Sequence, residues 1–164
     1  MDGWDGSGKT TIAKELAGRL GLIRYELDDY LHKHSGGFLE HLQYTKLEKN
    51  LAEAINNASP ILVEGICVLA VLNKVAIMSD VKIYVRRIQK SGIWYEGLKK
   101  LDTSKTADEV IEEDKESARR WAELCEDKPS EGTERLDYEI IRYHYQYLPH
   151  ETADLYFNRI EKLA

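Results

Sequence analysis

The chain has 164 residues, 43% of them hydrophobic and 32% charged, with a formal net charge of −6. That length supports one ordinary domain with a core of its own, and the acidic balance argues against a nucleic-acid backbone as the main partner. No apolar run approaches the length needed to cross a bilayer, and two cysteines, Cys67 and Cys125, are too few for a disulfide framework.

The opening lacks the basic-then-apolar pattern of a signal peptide. With Cys67 in an apolar run, the expectation is a soluble protein in a reducing cytoplasm, with no membrane partner. The most informative stretch comes first. Gly3-Trp4-Asp5-Gly6-Ser7-Gly8-Lys9-Thr10 matches G-x-x-x-x-G-K-[ST] at every fixed position. Glycines in that pattern let successive backbone N–H groups turn inward on phosphate oxygens. Lys9 adds a mobile positive charge for the β and γ phosphates, and the Thr10 hydroxyl is a natural Mg2+ ligand. Gly3 to Thr10, with Thr11 beside it, is therefore the candidate triphosphate cradle. A helix over 11–20 follows, with Ile12, Leu16 and Leu20 on one face and Gly21 as its C-terminal cap. Its N-terminal dipole favours the same anions.

Such a loop normally joins a buried strand to its helix, yet only Met1 and Asp2 precede Gly3. The expectation is a first strand that is missing or truncated. An upstream run of apolar residues, or another segment or chain, would then fill the gap in the sheet.

Residues 22–27 read as a strand ending in Asp28-Asp29-Tyr30, and 31–38, with His32, His34, Gly36 and Gly37, as a loop or short irregular helix. A helix over 44–58 carries Leu47, Leu51, Ala54 and Ile55 on one face. Pro60 stops it and launches 61–65, an apolar run suited to a strand buried on both faces. A compact segment over 66–79 leads to a strand over 81–85. Strands separated by helices point to a parallel sheet with right-handed crossovers.

The second half is more polar. It reads as a helix over 86–100 weakened by Gly92 and Gly97, a turn over 102–105, a charged helix over 106–126 and a loop over 127–133. A helix over 134–147 then carries Tyr138, Tyr143, Tyr145 and Tyr147, Pro149 ends it, and a short strand over 153–157 precedes a helical tail. The chain reads as a single domain over 1–164, with a polar helical, lid-like region at about 86–133.

In an open α/β sheet ligands collect at the carboxyl ends of the strands. The glycine loop, Asp28, Asp29 and Glu64 all belong there. Asp28 is placed to accept a proton from an attacking hydroxyl, or to cap its turn. Glu64 is placed to hold Mg2+ through a water, or simply to solvate a strand end.

Four further pieces, Leu27-Asp28-Asp29-Tyr30-Leu31, Ile61-Leu62-Val63-Glu64-Gly65-Ile66, the strand at 81–85, and Arg142-Tyr143-His144 with residues 148–154, follow the loop in order. Together they resemble the uridine kinase branch of the P-loop nucleoside kinases, a group that also includes nicotinamide riboside kinases and phosphoribulokinases. The resemblance implies a three-layer α/β P-loop NTPase fold, nucleoside/nucleotide kinase-like. It implies phosphoryl transfer from ATP, with Mg2+, to a hydroxyl of a nucleoside such as uridine or a similar small molecule.

On that resemblance Asp28 is the base and Lys9 its catalytic partner, with Thr10 and Glu64 on the metal. Asp28, Asp29 and Tyr30 would face the acceptor, and His32, His34, Phe38 and Tyr44 lie in the region where the family holds its base, or else pack. Lid arginines are expected over the phosphates: Arg87 stands first, beside Arg86, and Arg119, Arg120 and Arg142 compete for the role. A homo-oligomer fits the family's habit. A kinase for another small metabolite (a nucleotide, sugar or vitamin) and a non-catalytic or regulatory nucleotide-binding protein use the same loop.

Overall fold

The computed structural model describes residues 1–32, 37–125 and 131–160. His34 and the tail at 161–164 lie outside them, as does most of the loop expected over 127–133. The fold is α/β, with a small parallel sheet and helices. Its strands are β1 (Asp2–Gly3), β2 (Ile23–Glu26), β3 (Ile61–Glu64), β4 (Ile83–Ile88) and β5 (Leu155–Ile160). Its helices are α1 (Lys9–Leu20), α2 (Tyr44–Asn56), α3 (Val68–Lys74), α4 (Tyr95–Lys100), α5 (Ala107–Cys125), α6 (Glu131–Tyr147) and α7 (Pro149–Thr152).

All strand pairs are parallel, β2 with β3 and β1-β4-β5 in that order. Met1 joins the two groups. Its amino group donates to the Val63 carbonyl at 2.6 Å, and the Gly65 N–H donates to the Met1 carbonyl at 3.3 Å. Three residues thus stand where the sequence predicts a gap, and the first strand is two residues long.

Helix α1 begins at Gly8, whose φ of 95° suits glycine, and ends at Gly21, in the left-handed conformation with its N–H on Ala17. Its buried face is narrower than expected. Ala13 and Ala17 lie flush on the sheet, whereas Leu20 is 61% exposed. Helix α2 buries Leu47, Leu51 and Ala54 as its period requires, but leaves Ile55 47% exposed. Helix α5 opens on a reciprocal cap: Glu109 accepts from the Thr106 N–H and hydroxyl, and Thr106 Oγ1 accepts from the Glu109 N–H.

Several boundaries differ from the sequence reading. Residues 27–30 leave the strand for a 3-10 turn. Strand β4 runs to Ile88, because β5 pairs with it residue for residue through Ile160, so Arg86 and Arg87 are strand residues. Only 95–100 of the helix expected over 86–100 is helical; Gly92, at φ 81°, turns the chain so that Ile88 bridges Trp94. Residues 131–133 belong to α6 and 158–160 to β5.

Side chains from opposite faces of the sheet form two cores. Leu27, Leu47, Leu51, Tyr84, Ile111 and Ile140 lead the larger. Met1, Ala13, Ala17, Leu62 and Val85 make the smaller, under α1. His144 is fully buried beside residues of the larger core: its Nε2 meets the Tyr84 hydroxyl at 2.7 Å, its Nδ1 meets the Ile140 carbonyl at 2.8 Å, and its ring stacks on Trp4 with centroids 4.7 Å apart. Burial pushes its pKa down to about 3, so the ring is neutral.

Candidate functional site

The glycine loop is held from beneath. A Cβ on Gly3 would stand 2.5 Å from the Val85 carbonyl oxygen, so β1 can approach β4 this closely only without a side chain. Asp5 accepts from the Gly6 N–H at 2.9 Å, and the Ser7 N–H donates to the Trp4 carbonyl at 3.2 Å. Trp4 itself is a core residue, so only its backbone serves the loop. Lys9 is 6% exposed and curls back to donate from Nζ to that same Trp4 carbonyl at 2.7 Å. Burial lowers its pKa, against the attraction of Asp2, Asp5, Glu64 and Asp28. Ser7 Oγ is buried with no hydrogen-bond partner.

Beside the loop is a pocket of about 400 Å³. Lys9, Thr10, Glu26, Asp28 and Glu64 line its polar wall; Leu31, Phe38, Ile66 and Leu136 line the apolar one. The apolar wall is pinned from α6, where the Glu139 carboxylate accepts the Phe38 and Leu39 N–H groups at 2.6 and 2.7 Å. Asp28, on the turn after β2, reaches this pocket with its pKa raised by partial burial and by Glu26.

Glu26 and Glu64 are register partners at the ends of β2 and β3. Thr10 Oγ1 lies 3.3 Å from a carboxylate oxygen of each. Arg24 Nη1 bridges both, at 2.7 Å to Glu26 and 2.5 Å to Glu64. Arg24 holds the Glu26 carboxyl below its ordinary value, while burial and Glu26 push Glu64 up. These are hard oxygen donors, of the kind Mg2+ takes from one or two carboxylates and a hydroxyl alongside phosphate. Among the described residues there is no cage of three or more His, Cys, Asp and Glu side chains, which Mg2+ does not require.

Of the residues singled out in the sequence, Lys9, Thr10, Asp28 and Glu64 converge. Gly6, Gly8 and Asp5 line the same pocket. Others do not join them. Tyr30 is 5% exposed, with its hydroxyl accepting from Asn50 Nδ2 at 2.9 Å, and Asp29 and His32 are exposed outside the pocket. Tyr44 donates to the Leu39 carbonyl and so supports the wall from behind. Thr11 points to solvent.

The arginines separate as well. Arg87 pairs with buried Glu96 at 3.0 Å, and a Cβ on Gly6 would lie 3.8 Å from its Nη1, so it stands beside the loop on β4. Arg86 donates to the His150 carbonyl and lies over the Tyr156 ring. Arg119 and Arg120 are exposed on α5, and Arg142 pairs with Asp108 at the surface. Arg159, at the end of β5, donates to the Gly6 carbonyl at 3.2 Å. Sequence reading missed it by ending the strand at 157. It also missed Glu26 and Arg24, although their i, i+2 spacing puts both on one face of β2.

No family model matches the chain, and comparison with curated proteins and with solved structures likewise gave no match.

Proposed function

We propose that the chain binds a nucleoside triphosphate with Mg2+ along Gly3 to Thr10 and transfers its terminal phosphoryl group to a hydroxyl of a nucleoside or similar small molecule. One observation carries this reading: Lys9, Thr10, Asp28 and Glu64, drawn from three separate segments, line one pocket of about 400 Å³ beside the glycine loop. Incoming phosphate competes with the Trp4 carbonyl for Lys9, whose burial strengthens its pull on an anion. Thr10, Glu64 and Glu26 would hold Mg2+, which neutralises phosphate charge.

Asp28 takes the proton of the acceptor hydroxyl as that oxygen bonds to the γ-phosphorus, while the bond from phosphorus to the bridging oxygen breaks and that oxygen leaves on the nucleoside diphosphate with the electron pair. Its raised pKa makes it a better base than an ordinary surface aspartate. Arg87 and Arg159 flank Gly6 and would bring positive charge to the phosphates. The rest is positioning.

A second reading, nucleotide binding without transfer, draws on Arg24, whose guanidinium occupies both carboxylates. Labelled ATP incubated with a panel of nucleosides and other hydroxyl metabolites separates the two. Label in an acceptor, lost in Asp28→Asn with nucleotide binding retained, supports the kinase. Release of phosphate alone, or binding without turnover, supports the second reading.

A further inference from the structure

Arg24 holds its two carboxylates in an uncommon way for a guanidinium. It stands on β2 two residues before Glu26, on the same face of the strand. Its Nη1 alone makes both ion pairs, to Glu26 Oε2 at 2.7 Å and to Glu64 Oε1 at 2.5 Å. An arginine that fixes a carboxylate rigidly uses its two-pronged fork. A single nitrogen between two carboxylates acts instead as a point charge.

The carboxylate oxygens are divided between two sides. Glu26 Oε1 and Glu64 Oε2, the two that Arg24 leaves, each lie 3.3 Å from Thr10 Oγ1. Thr10, Glu26 and Glu64 line the pocket beside the glycine loop, and Arg24 does not. Arg24 thus cancels one of the two carboxylate charges from behind, while Lys9, in the same pocket, acts against Glu64 from the front. A free divalent cation entering the pocket meets the guanidinium charge across the same carboxylates. A cation already held by a triphosphate brings its own negative charge.

We propose that Arg24 keeps a free divalent cation off Thr10, Glu26 and Glu64, so that the metal enters only on the triphosphate. The proposal rests on the reading of these three side chains as the Mg2+ seat. Arg24 stays in place when the loaded nucleotide binds, because the oxygens it holds are not those that face Thr10. Removing it has two effects of opposite sign. Losing an outer contact to a metal-holding carboxylate weakens metal affinity about 10–100-fold. Losing a positive charge across those carboxylates strengthens it, and the charge effect is the larger here, because the Glu64 side chain is 1% exposed and poorly screened.

Mn2+ is the probe, titrated by electron paramagnetic resonance into the 164-residue protein with and without the non-hydrolysable imido analogue of ATP. The parent is expected to bind Mn2+ at least tenfold more weakly without the analogue than with it. Arg24→Gln is expected to bind free Mn2+ at least tenfold more tightly than the parent. Arg24→Lys, which keeps the charge, should bind it no more tightly, and Arg24→Gln combined with Glu26→Gln should lose the gain. Free Mn2+ bound no better by Arg24→Gln than by the parent overturns the proposal, as does a gain that survives in the double variant. Should Arg24→Gln not fold, the parent and Arg24→Lys decide: free Mn2+ held as tightly as Mn2+ with the analogue, in either protein, overturns it. Failure of every protein to bind the analogue, with the Arg24→Gln gain intact, removes the triphosphate reading and leaves the exclusion of free cation standing.

Discussion

Lowering the pH should unfold this protein through His144, and the size of the effect follows from its surroundings. The imidazole is fully buried, donates from Nδ1 to the Ile140 carbonyl and accepts at Nε2 from the Tyr84 hydroxyl. A proton on Nε2 would reverse the Tyr84 bond, leaving the hydroxyl hydrogen without this acceptor, and put a charge beside Trp4 in the base of the loop. The folded pKa is about 3 against an ordinary value of 6.5. Between those values the unfolded chain binds the extra proton and the folded chain does not, so stability is complete above 6.5 and drains away as pH falls. Two pH units below 6.5 correspond to a loss of about 3 kcal/mol, at about 1.4 kcal/mol per unit. For a domain of this size that lowers Tm by roughly 6–12 °C.

Asp2 and Glu64, whose pKa values are raised, work in the opposite sense and gain stability on protonation. They are present in both proteins of the comparison. Urea melts at a series of pH values, for the parent and His144→Gln, isolate the histidine: the parent curve should fall more steeply, by about 3 kcal/mol over the window. Parallel curves would refute the reasoning.

Three further outcomes are expected. Lys9→Ala should weaken triphosphate binding in calorimetry and lower turnover by about 10²–10³, the scale of losing one preorganised hydrogen-bond donor to developing charge; undiminished turnover would remove Lys9 from the site. Because burial and Glu26 raise the Asp28 pKa, the acid limb of the kcat/KM profile should lie above the ordinary aspartate value, and Glu26→Gln should move it toward lower pH. A limb that stays put excludes Glu26 from tuning Asp28. Arg24→Gln leaves Glu26 and Glu64 facing each other without their cation, at a cost of about 3 kcal/mol in magnesium-free buffer. Millimolar Mg2+ should restore much of that loss in a thermal melt, and an identical deficit with and without Mg2+ would count against a metal at this position.

The glycine loop was legible in the chain because its instructions are local. Gly8 and Gly21 bracket α1 by backbone conformation alone, and Lys9 and Thr10 follow at fixed spacing in the same turn. The apolar run at 61–65 announced a strand for the same reason, though only Leu62 and Glu64 are fully buried in it and Ile61 and Val63 are half-buried. Register is not local. That Glu26 lies beside Glu64, with Arg24 bridging them, depends on how β2 aligns with β3, and no spacing within either strand states it. Arg159 reaches Gly6 only because β4 carries β5 three residues past the expected strand end. Tyr30 went the other way, since the bond from Asn50 and the packing under α2 draw its ring into the core. The chain alone thus determined which groups carry charge and where the backbone turns, while tertiary structure decided which of them share a pocket, because side-chain neighbours across a sheet are set by pairing and burial rather than by order along the chain.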